Sequence, residues 1–102
     1  MTELHRSLAM NVKILRTRWG WSQAELAERS SLSVSYIGDI EAGVKWPAAD
    51  KVELLAQAFK LRPYQLFLEP QDTLDYQSFL ERRDFVQELG EKMLQYWENR
   101  GR

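Results

Sequence analysis

The sequence predicts an all-α protein, with five helices packed as one domain over residues 1–70 and a further helix over residues 71–102. Two observations lead to this prediction. Apolar residues recur at steps of three and four along most of the chain, which is the spacing of one face of a helix. In addition, no stretch alternates apolar and polar residues for long enough to form a strand. A chain of 102 residues suffices for one such domain and an extra element, but hardly for two domains.

The first helix is predicted from Leu4 to Trp19. Its apolar face consists of residues three or four positions apart, namely Leu4, Leu8, Val12, Leu15 and Trp19. Gly20 follows directly and can adopt the left-handed conformation that ends a helix. Trp19 and the neighbouring Trp21 are expected at the core or at its edge.

Two short helices are predicted between Ser22 and Gly43. Ser22 can cap the first of them, and Glu25 stands three residues later, at the spacing of a capping box. The second helix begins at Ser33 and has a narrow apolar stripe that includes Ile37, so its other face remains free. Gly43 is placed to end it. Two short helices joined by a tight turn, with the second exposed, form a helix-turn-helix.

Two more helices complete the predicted domain. The fourth covers about residues 48–59 and has a weak N-cap. Pro63 suits the first position of a short fifth helix that buries Leu66 and Phe67. Pro70 is expected to close the domain.

From Asp72 to about Asn99 the sequence predicts a longer helix with an apolar seam. The seam positions alternate steps of three and four, as in a coiled coil, and Arg82 interrupts them. The candidate dimerisation residues are the apolar members of this seam and the adjacent tryptophan: Phe79, Val86, Leu89, Met93, Tyr96 and Trp97. Because so much apolar surface cannot remain in water, the helix is expected to pack on the domain, on a second copy of itself, or on both.

Composition excludes several classes of function. The chain contains no cysteine, which rules out disulfides, a thiol nucleophile and thiolate metal sites. The single histidine, His5, is expected to be solvated, and no carboxylate cluster, glycine-rich phosphate loop or metal-ligand spacing accompanies it. No enzyme, metal or cofactor is therefore expected. Without a signal peptide or a long apolar run, the sequence predicts a soluble cytoplasmic protein that makes no membrane contact.

The net charge of -1 argues at first against nucleic-acid binding. The distribution of charge weakens that argument. Residues 1–70 carry nine Lys and Arg against eight Asp and Glu, whereas residues 71–102 carry five against seven. The acidity is concentrated in the C-terminal segment, so DNA binding would depend on a few placed charges.

The spacing of several residues resembles the phage-repressor-like (Xre/Cro) family of helix-turn-helix transcriptional regulators. These residues are Ser22, Gln23, Leu26, Ala27, Tyr36, Ile37, Ile40, Glu41, Gly43, Pro47, Leu55, Ala56, Leu66 and Phe67. The resemblance covers about residues 8–68. Within the family, the segment from Ser35 to Glu41 is similar to restriction-modification controller proteins and to Sin-type regulators. Sin-type regulators also have a C-terminal helical dimerisation segment.

The resemblance implies that the third helix lies in the major groove of double-stranded DNA, while the start of the second helix abuts the sugar-phosphate backbone. The implied DNA-binding residues are Ser22, Gln23, Ser33, Val34, Ser35, Tyr36, Gly38, Asp39, Lys45 and Trp46. Gln23 would donate to a phosphate. Val34 would contact a thymine methyl group, Ser35 a phosphate or a base, and Asp39 the N4 group of cytosine. Because this helix lacks Arg, Lys, Gln and Asn, DNA shape is expected to contribute much of the specificity.

Arg16 and Glu41 stand at positions that pair in this family, so a structural ion pair is expected between the first and third helices. A direct DNA contact by Glu41 is not expected, since phosphate repels a carboxylate. Gln23 either contacts a phosphate or is simply solvated. Trp46 is open between a surface contact and a plug of the core.

Two functions follow from these observations, and the first is favoured. It is a sequence-specific DNA-binding transcriptional regulator that binds a near-palindromic operator as a homodimer, with residues 71–102 contributing to the dimer. The second is a protein-interaction module, an antitoxin or adaptor whose protein partner docks on the C-terminal helix. Asp39 and the near-neutral net charge motivate this second function.

Overall fold

The computed structural model describes residues 1–100, except for the side chain at position 84. Within this range the chain forms five α-helices, one 3-10 helix and no strand, which confirms the predicted all-α class. The α-helices are α1 (Glu3–Trp19), α2 (Gln23–Ser30), α3 (Val34–Glu41), α4 (Ala49–Phe59) and α5 (Pro70–Arg100), and the 3-10 helix spans Pro63–Phe67. Residues 101 and 102, the end of the predicted C-terminal segment, lie outside the described residues.

Helix α1 begins and ends as its local sequence directs. The side chain of Thr2 accepts a hydrogen bond from the backbone N–H of His5, and Gly20 ends the helix with a left-handed φ of 76°. The inward face consists of Leu8, Val12 and Leu15. The predicted apolar face is too long, because Leu4 and Trp19 are 51% and 43% exposed. Both lie at ends of α1 that extend past the packed centre of the domain.

Serine side chains begin both short helices. Ser22 Oγ accepts from the backbone N–H of Glu25 at 3.1 Å, and Ser33 Oγ accepts from that of Tyr36 at 3.0 Å. The predicted capping box is only half present. The carboxylate of Glu25 accepts a hydrogen bond from Arg29 Nε, one turn further along α2, at 2.8 Å. This pairing of opposite charges four residues apart replaces the predicted bond back to the start of the helix.

The core lies between α1, α2, α3, α4 and the 3-10 helix. Its largest apolar side chains are almost completely inaccessible, namely Leu8, Val12, Leu15, Leu26, Ile37, Ile40, Leu55 and Leu66. Each element presents these residues at helical spacing, so the narrow apolar face of each short helix is covered by its neighbours. An eight-residue helix is unstable alone. Packing on this core therefore stabilises both α2 and α3.

The last elements of the domain differ from their predictions in detail. Ala48 caps α4 without a side-chain hydrogen bond, in agreement with the weak N-cap. The fifth helix is a 3-10 helix of five residues with Pro63 at its start, and it buries Leu66 completely but Phe67 only in part. Such short pieces are typical of 3-10 geometry.

Pro70 begins the C-terminal helix instead of closing the domain. Proline is favoured at the first position of a helix, because its φ angle is already helical and its missing N–H would have no partner there. The carbonyl of Glu69 accepts from the backbone N–H of Thr73 at 3.0 Å, which closes the first turn. Asp72, predicted as the N-cap, lies inside that turn.

A buried amide joins three elements. Asn11 Nδ2 donates to the carbonyl oxygens of Leu66 at 2.8 Å and Leu68 at 2.7 Å, and Asn11 Oδ1 accepts from Thr73 Oγ1 at 2.8 Å. Asn11 and Thr73 are both buried. Asn11 therefore connects α1 to the end of the 3-10 helix and to the first turn of α5.

Helix α5 has two parts. Its first turns contact α1, where Thr73 is buried and Arg18 donates to Glu81 at 3.0 Å. The side chains of residues 85–100 are all exposed. Because this part projects, the molecule is elongated and measures 62 × 26 × 20 Å along its principal axes. None of the helices in residues 1–100 has both the length and the apolar character needed to cross a bilayer.

Candidate nucleic-acid interface

The first turn of α3 projects from the domain. Ser33, Val34 and Ser35 are exposed, and Val34 retains 49% of its accessible surface. The opposite side of the helix carries Ile37 and Ile40, which are buried in the core. Because residues three and four apart share one face of a helix, burying these two isoleucines turns the opposite face outwards, on which Ser35 and, four residues later, Asp39 lie.

Gln23 brings the start of α2 against the side of α3. An ideal Cβ at Gly38 would lie 3.8 Å from Gln23 Oε1, so the glutamine amide lies close to the glycine backbone. Gln23 Nε2 also donates to Glu41 Oε1 at 3.4 Å. The side chain is therefore half-buried and hydrogen-bonded, and is not simply solvated. Its amide nitrogen carries two N–H bonds, so one can be donated to a ligand while the other is donated to Glu41.

Glu41 is held in turn by Arg16. Arg16 Nε donates to Glu41 Oε2 at 2.8 Å and its second terminal nitrogen donates to Oε1 at 3.0 Å, while the remaining nitrogen donates to the Trp21 carbonyl at 2.8 Å. The two charged side chains are only 15% and 6% exposed. The hydrogen bond with Glu41 raises the pKa of Arg16, although burial partly opposes this shift. The expected pair of Arg16 and Glu41 thus joins α1, the turn after α1, and α3.

Asp39 and Lys45 form an ion pair beside the exposed face of α3. Lys45 Nζ lies 3.6 Å from Asp39 Oδ2 and 5.4 Å from the centre of the Tyr36 ring. The backbone supports this arrangement, because the carbonyl of Asp39 accepts from the N–H groups of Val44 at 2.8 Å and Lys45 at 3.2 Å. Gly43 permits the turn with a φ of 74°. Both residues are expected from the sequence to contact DNA, but the sequence does not predict the ion pair between them.

Trp46 lies at the edge of the core and keeps 48% of its surface exposed. Its ring is 5.8 Å from that of Phe67 and makes an edge contact at 5.2 Å with that of His5. Trp46 therefore packs on the domain with one side of its ring, while the rest of the ring remains accessible.

The sequence predicts that His5 is solvated, but the structure shows otherwise. His5 is half-buried, and its Nε2 lies 3.3 Å from the Lys45 carbonyl oxygen. Met1 also lies against Gly43. The N-terminal residues thus support the loop that carries Lys45 and Trp46. Helical periodicity gave no signal for these contacts, because they join residues about forty positions apart.

Trp19 and Trp21 occupy the core edge. The Trp21 ring stacks on Trp19 at 4.8 Å and on Phe59 at 5.8 Å, and the guanidinium of Arg29 lies 4.5 Å from its centre. These aromatic contacts provide a structural role for both residues.

All ten implied DNA-binding residues lie in two adjacent groups. One group surrounds the start of α2 and the adjoining residues of α3, namely Ser22, Gln23, Ser33, Val34, Ser35 and Gly38. The other surrounds the ion pair of Asp39 and Lys45, namely these two residues, Tyr36 and the next residue along the loop, Trp46. The side chains that end the exposed face are hydroxyl, amide, carboxylate and ammonium groups. The hydroxyl, amide and ammonium groups can donate to phosphate oxygens and to base edges, and the carboxylate can accept from a base amino group.

Residues 12–66, which run from the middle of α1 through the 3-10 helix, match the family model described as Helix-turn-helix. The chain belongs to the helix-turn-helix family. The matched range contains α2, α3 and all ten residues of the two groups. The resemblance to Xre/Cro regulators is therefore confirmed.

Several known helix-turn-helix proteins are similar to this chain. A hypothetical transcription factor of Neisseria meningitidis is 37% identical over 73 residues, which cover 71% of this chain and 68% of the relative. A competence pilus inhibition repressor of Acinetobacter baylyi is 40% identical over 57 residues, covering 56% and 52%. The crystal structure of the restriction-modification controller protein C.AhdI from Aeromonas hydrophila matches with a TM-score of 0.60 and 33% identity, covering 62% of this chain and 96% of C.AhdI.

Proposed function

We propose that this helix-turn-helix protein is a DNA-binding transcriptional regulator of the repressor type, which binds a near-palindromic operator as a homodimer. The observation that supports this most directly is the outward-facing first turn of α3 beside the hydrogen-bonded amide of Gln23. It lies within the range that matches the family. The similar proteins from Neisseria and Acinetobacter are called a hypothetical transcription factor and a repressor. The protein would act in the cytoplasm as a binding protein and not as an enzyme.

In this proposal the first group of residues fixes the protein on the DNA backbone. The N-terminus of α2 carries unpaired helix N–H groups that favour an anion, and Ser22 and Gln23 begin this helix. Gln23 donates one amide N–H to a phosphate and keeps the other on Glu41. Arg16 fixes the position of Glu41, and Glu41 accepts a hydrogen bond from Gln23. The amide of Gln23 is therefore held in place for the phosphate contact.

The exposed turn of α3 enters the major groove. Val34 contacts a thymine methyl group, and Ser33 and Ser35 donate to base edges or phosphates. Gly38 lies beside Gln23 and adds no side chain that would fill the groove. Direct contacts of this kind give limited discrimination, so sequence-dependent DNA shape contributes the rest.

The second group contacts the DNA at the other end of α3. Lys45 moves its ammonium from Asp39 to a phosphate, which releases the carboxylate of Asp39 to accept from the N4 group of cytosine. Lys45 and Asp39 are 3.6 Å apart and exposed to solvent, so breaking their ion pair costs little free energy. The hydroxyl of Tyr36 and the exposed part of Trp46 supply further backbone contacts.

A selection of bound fragments from a random DNA pool tests the proposal, followed by gel-shift titrations of the selected site. Gln23→Ala and Ser35→Ala should each weaken binding by about tenfold, the loss expected for one hydrogen bond to a charged group. Gln57→Ala, at an exposed position of α4, is the matched control and should bind normally. Failure to select any sequence at low salt would contradict the proposal.

In this proposal the two parts of the chain have different roles. Residues 1–70 contact the DNA, and residues 71–102 contribute to the dimer. The candidate dimerisation residues Phe79, Val86, Leu89, Met93, Tyr96 and Trp97 are between 47% and 68% exposed in one copy of the chain. Exposed apolar surface on this scale marks a site of interaction.

The same exposed surface favours one alternative, a protein-interaction module whose partner is a different protein bound to α5. Purification of the full chain separates the two functions. A stoichiometric second protein that remains bound through size exclusion would support the alternative. A homogeneous dimer of this chain that binds DNA would support the regulator.

A further inference from the structure

The seam on α5 faces away from the rest of the molecule. Thr73 and Glu81, which contact α1, are eight residues apart and share one side of the helix. Phe79, Val86 and Met93 repeat every seven residues and project from the other side. Their exposed fractions are 54%, 65% and 56%. The domain that begins the same chain therefore leaves this side of α5 open along its whole length.

A second copy of α5 fits this open side. The seam keeps the three-and-four spacing of a coiled coil over three heptads, and such a pattern is self-complementary. Three of its exposed side chains, Phe79, Tyr96 and Trp97, are aromatic. With the aliphatic members, the seam offers roughly 500 Å² of apolar surface, which is of the same order as the ~800 Å² per partner of a standard interface.

We propose that two copies of α5 pair in an antiparallel orientation, with Arg82 of each copy against Met93 of the other. This inference rests on the proposed homodimer and specifies its geometry. Pairing of seam positions then also places Val86 against the partner's Leu89, and Phe79 against the partner's Tyr96. The two-fold axis crosses the helices between Gln87 and Glu88.

Arg82 decides the orientation. In a parallel pair, identical seam positions face one another, so two Arg82 side chains would meet between the helices and their like charges would repel. In the antiparallel pair, the carbon chain of Arg82 packs on the partner's Met93. Its guanidinium lies near the ring of the partner's Tyr96, where a cation is attracted. The residue that interrupts the apolar seam thus becomes the residue that specifies its direction.

The antiparallel orientation also separates the two DNA-binding domains. The turns of α5 that contact α1 are centred near Gln77, about ten residues from the two-fold axis. At 1.5 Å per residue the two centres lie about 32 Å apart along the helix pair. This separation is close to the 34–36 Å between successive major grooves on one side of DNA.

Two substitutions at one seam position test the register in the full-length protein. Met93→Glu places a carboxylate against the partner's Arg82, whereas Met93→Lys places an ammonium there. Sedimentation equilibrium should show a dimer dissociation constant at least about tenfold higher for Met93→Lys than for Met93→Glu, since two symmetric charge pairs change sign. Gln95→Lys adds the same charge at an exposed position on the side of α5 opposite the seam and should leave the dimer unchanged. Equal weakening by both Met93 variants would overturn the register.

Spin-label distances test the orientation independently. The described residues contain no cysteine, so Glu91→Cys and Glu98→Cys each give a single labelling site. These exposed positions are seven residues apart and share one face. In the antiparallel pair the label-to-label distance at position 98 should exceed that at position 91 by at least about 10 Å, because position 98 lies further from the axis. Equal distances would show a parallel pair and overturn the inference.

The outcomes separate this inference from the function on which it rests. Equal label distances in a dimer that binds the selected DNA would reject the antiparallel geometry and leave the proposed regulator intact. A monomer in sedimentation would reject the proposed homodimer together with its geometry. A dimer that binds no DNA would reject the regulator, while the label distances would still decide the geometry.

Discussion

The DNA-binding domain and the projecting part of α5 differ in how their apolar residues are covered. In the domain, Leu26, Ile37 and Leu55 are all 0% exposed, since short helices from several directions close over them. In residues 85–100 every side chain is exposed, although the helix carries Phe85, Leu94 and Trp97. The first region is completed by its own sequence. The second region carries apolar side chains that no other part of residues 1–100 covers.

The largest expected effect is on the domain core. Leu55→Ala should lower the free energy of unfolding by about 2–5 kcal/mol, because the cavity it leaves is enclosed on all sides. Leu94→Ala makes the same change at a position that is 61% exposed and should alter the stability by less than about 0.5 kcal/mol. Urea unfolding followed by circular dichroism measures both. Similar losses in the two variants would contradict the contrast between the two regions.

The next effect concerns the ion pair that supports Gln23. Glu41→Gln leaves the largely buried guanidinium of Arg16 without its carboxylate and should cost about 3 kcal/mol in urea unfolding. Glu53→Gln, at an exposed position of α4, is the control. Because the folded state raises the pKa of Arg16, the stability contributed by this group is fully present at neutral pH and is lost only when strongly alkaline pH removes its proton. A loss that appears near neutral pH would contradict this assignment.

A smaller effect is expected where the two regions join. Thr73→Val removes the donor to Asn11 Oδ1 and should cost about 1 kcal/mol. Hydrogen exchange should accelerate in the first turns of α5 and remain unchanged in α2 and α3. Thr17→Val is the matched control, because the hydroxyl of Thr17 bonds only to the carbonyl of Lys13 on its own helix and is exposed. Uniform acceleration over the whole chain would show that the junction is not a separate unit.

The smallest effect on stability is expected at Lys45. Its pair with Asp39 is largely exposed, so Lys45→Ala should change the free energy of unfolding by less than about 0.5 kcal/mol. DNA binding should respond more clearly. Loss of one phosphate contact should lower the slope of log K against log salt concentration by about 0.9. Gel-shift titrations at several salt concentrations measure this slope, and an unchanged slope would remove Lys45 from the proposed interface.

The predictable parts of the fold are those that depend on neighbouring residues. Ser22, Ser33 and Gly20 could be assigned as helix caps because each bonds within its own turn. The bonds of Asn11 could not be predicted, since its acceptors lie 55 and 57 positions away in the chain. Pro70 was misplaced because proline suits both the end of one element and the start of the next.

The candidate site shows the same division. The exposure of Ser35 follows from the spacing of the isoleucines in α3, because Ser35 lies on the opposite side of the helix, so the sequence predicts which face of this helix is accessible. The position of the Gln23 amide depends on Glu41, and that of Lys45 depends on Asp39 and on His5. These contacts depend on how separate elements pack together, and the local periodicity of the sequence carries no information about that packing.

The four tryptophans make each region of this protein observable by its own fluorescence. Trp21 lies in the aromatic stack at the core edge, Trp46 on the loop after α3, and Trp97 on the projecting part of α5. A variant that retains one of the three would report unfolding from Trp21, DNA contact from quenching of Trp46, and helix pairing from a blue shift of Trp97. Three such variants therefore allow the three events to be timed separately without an attached dye.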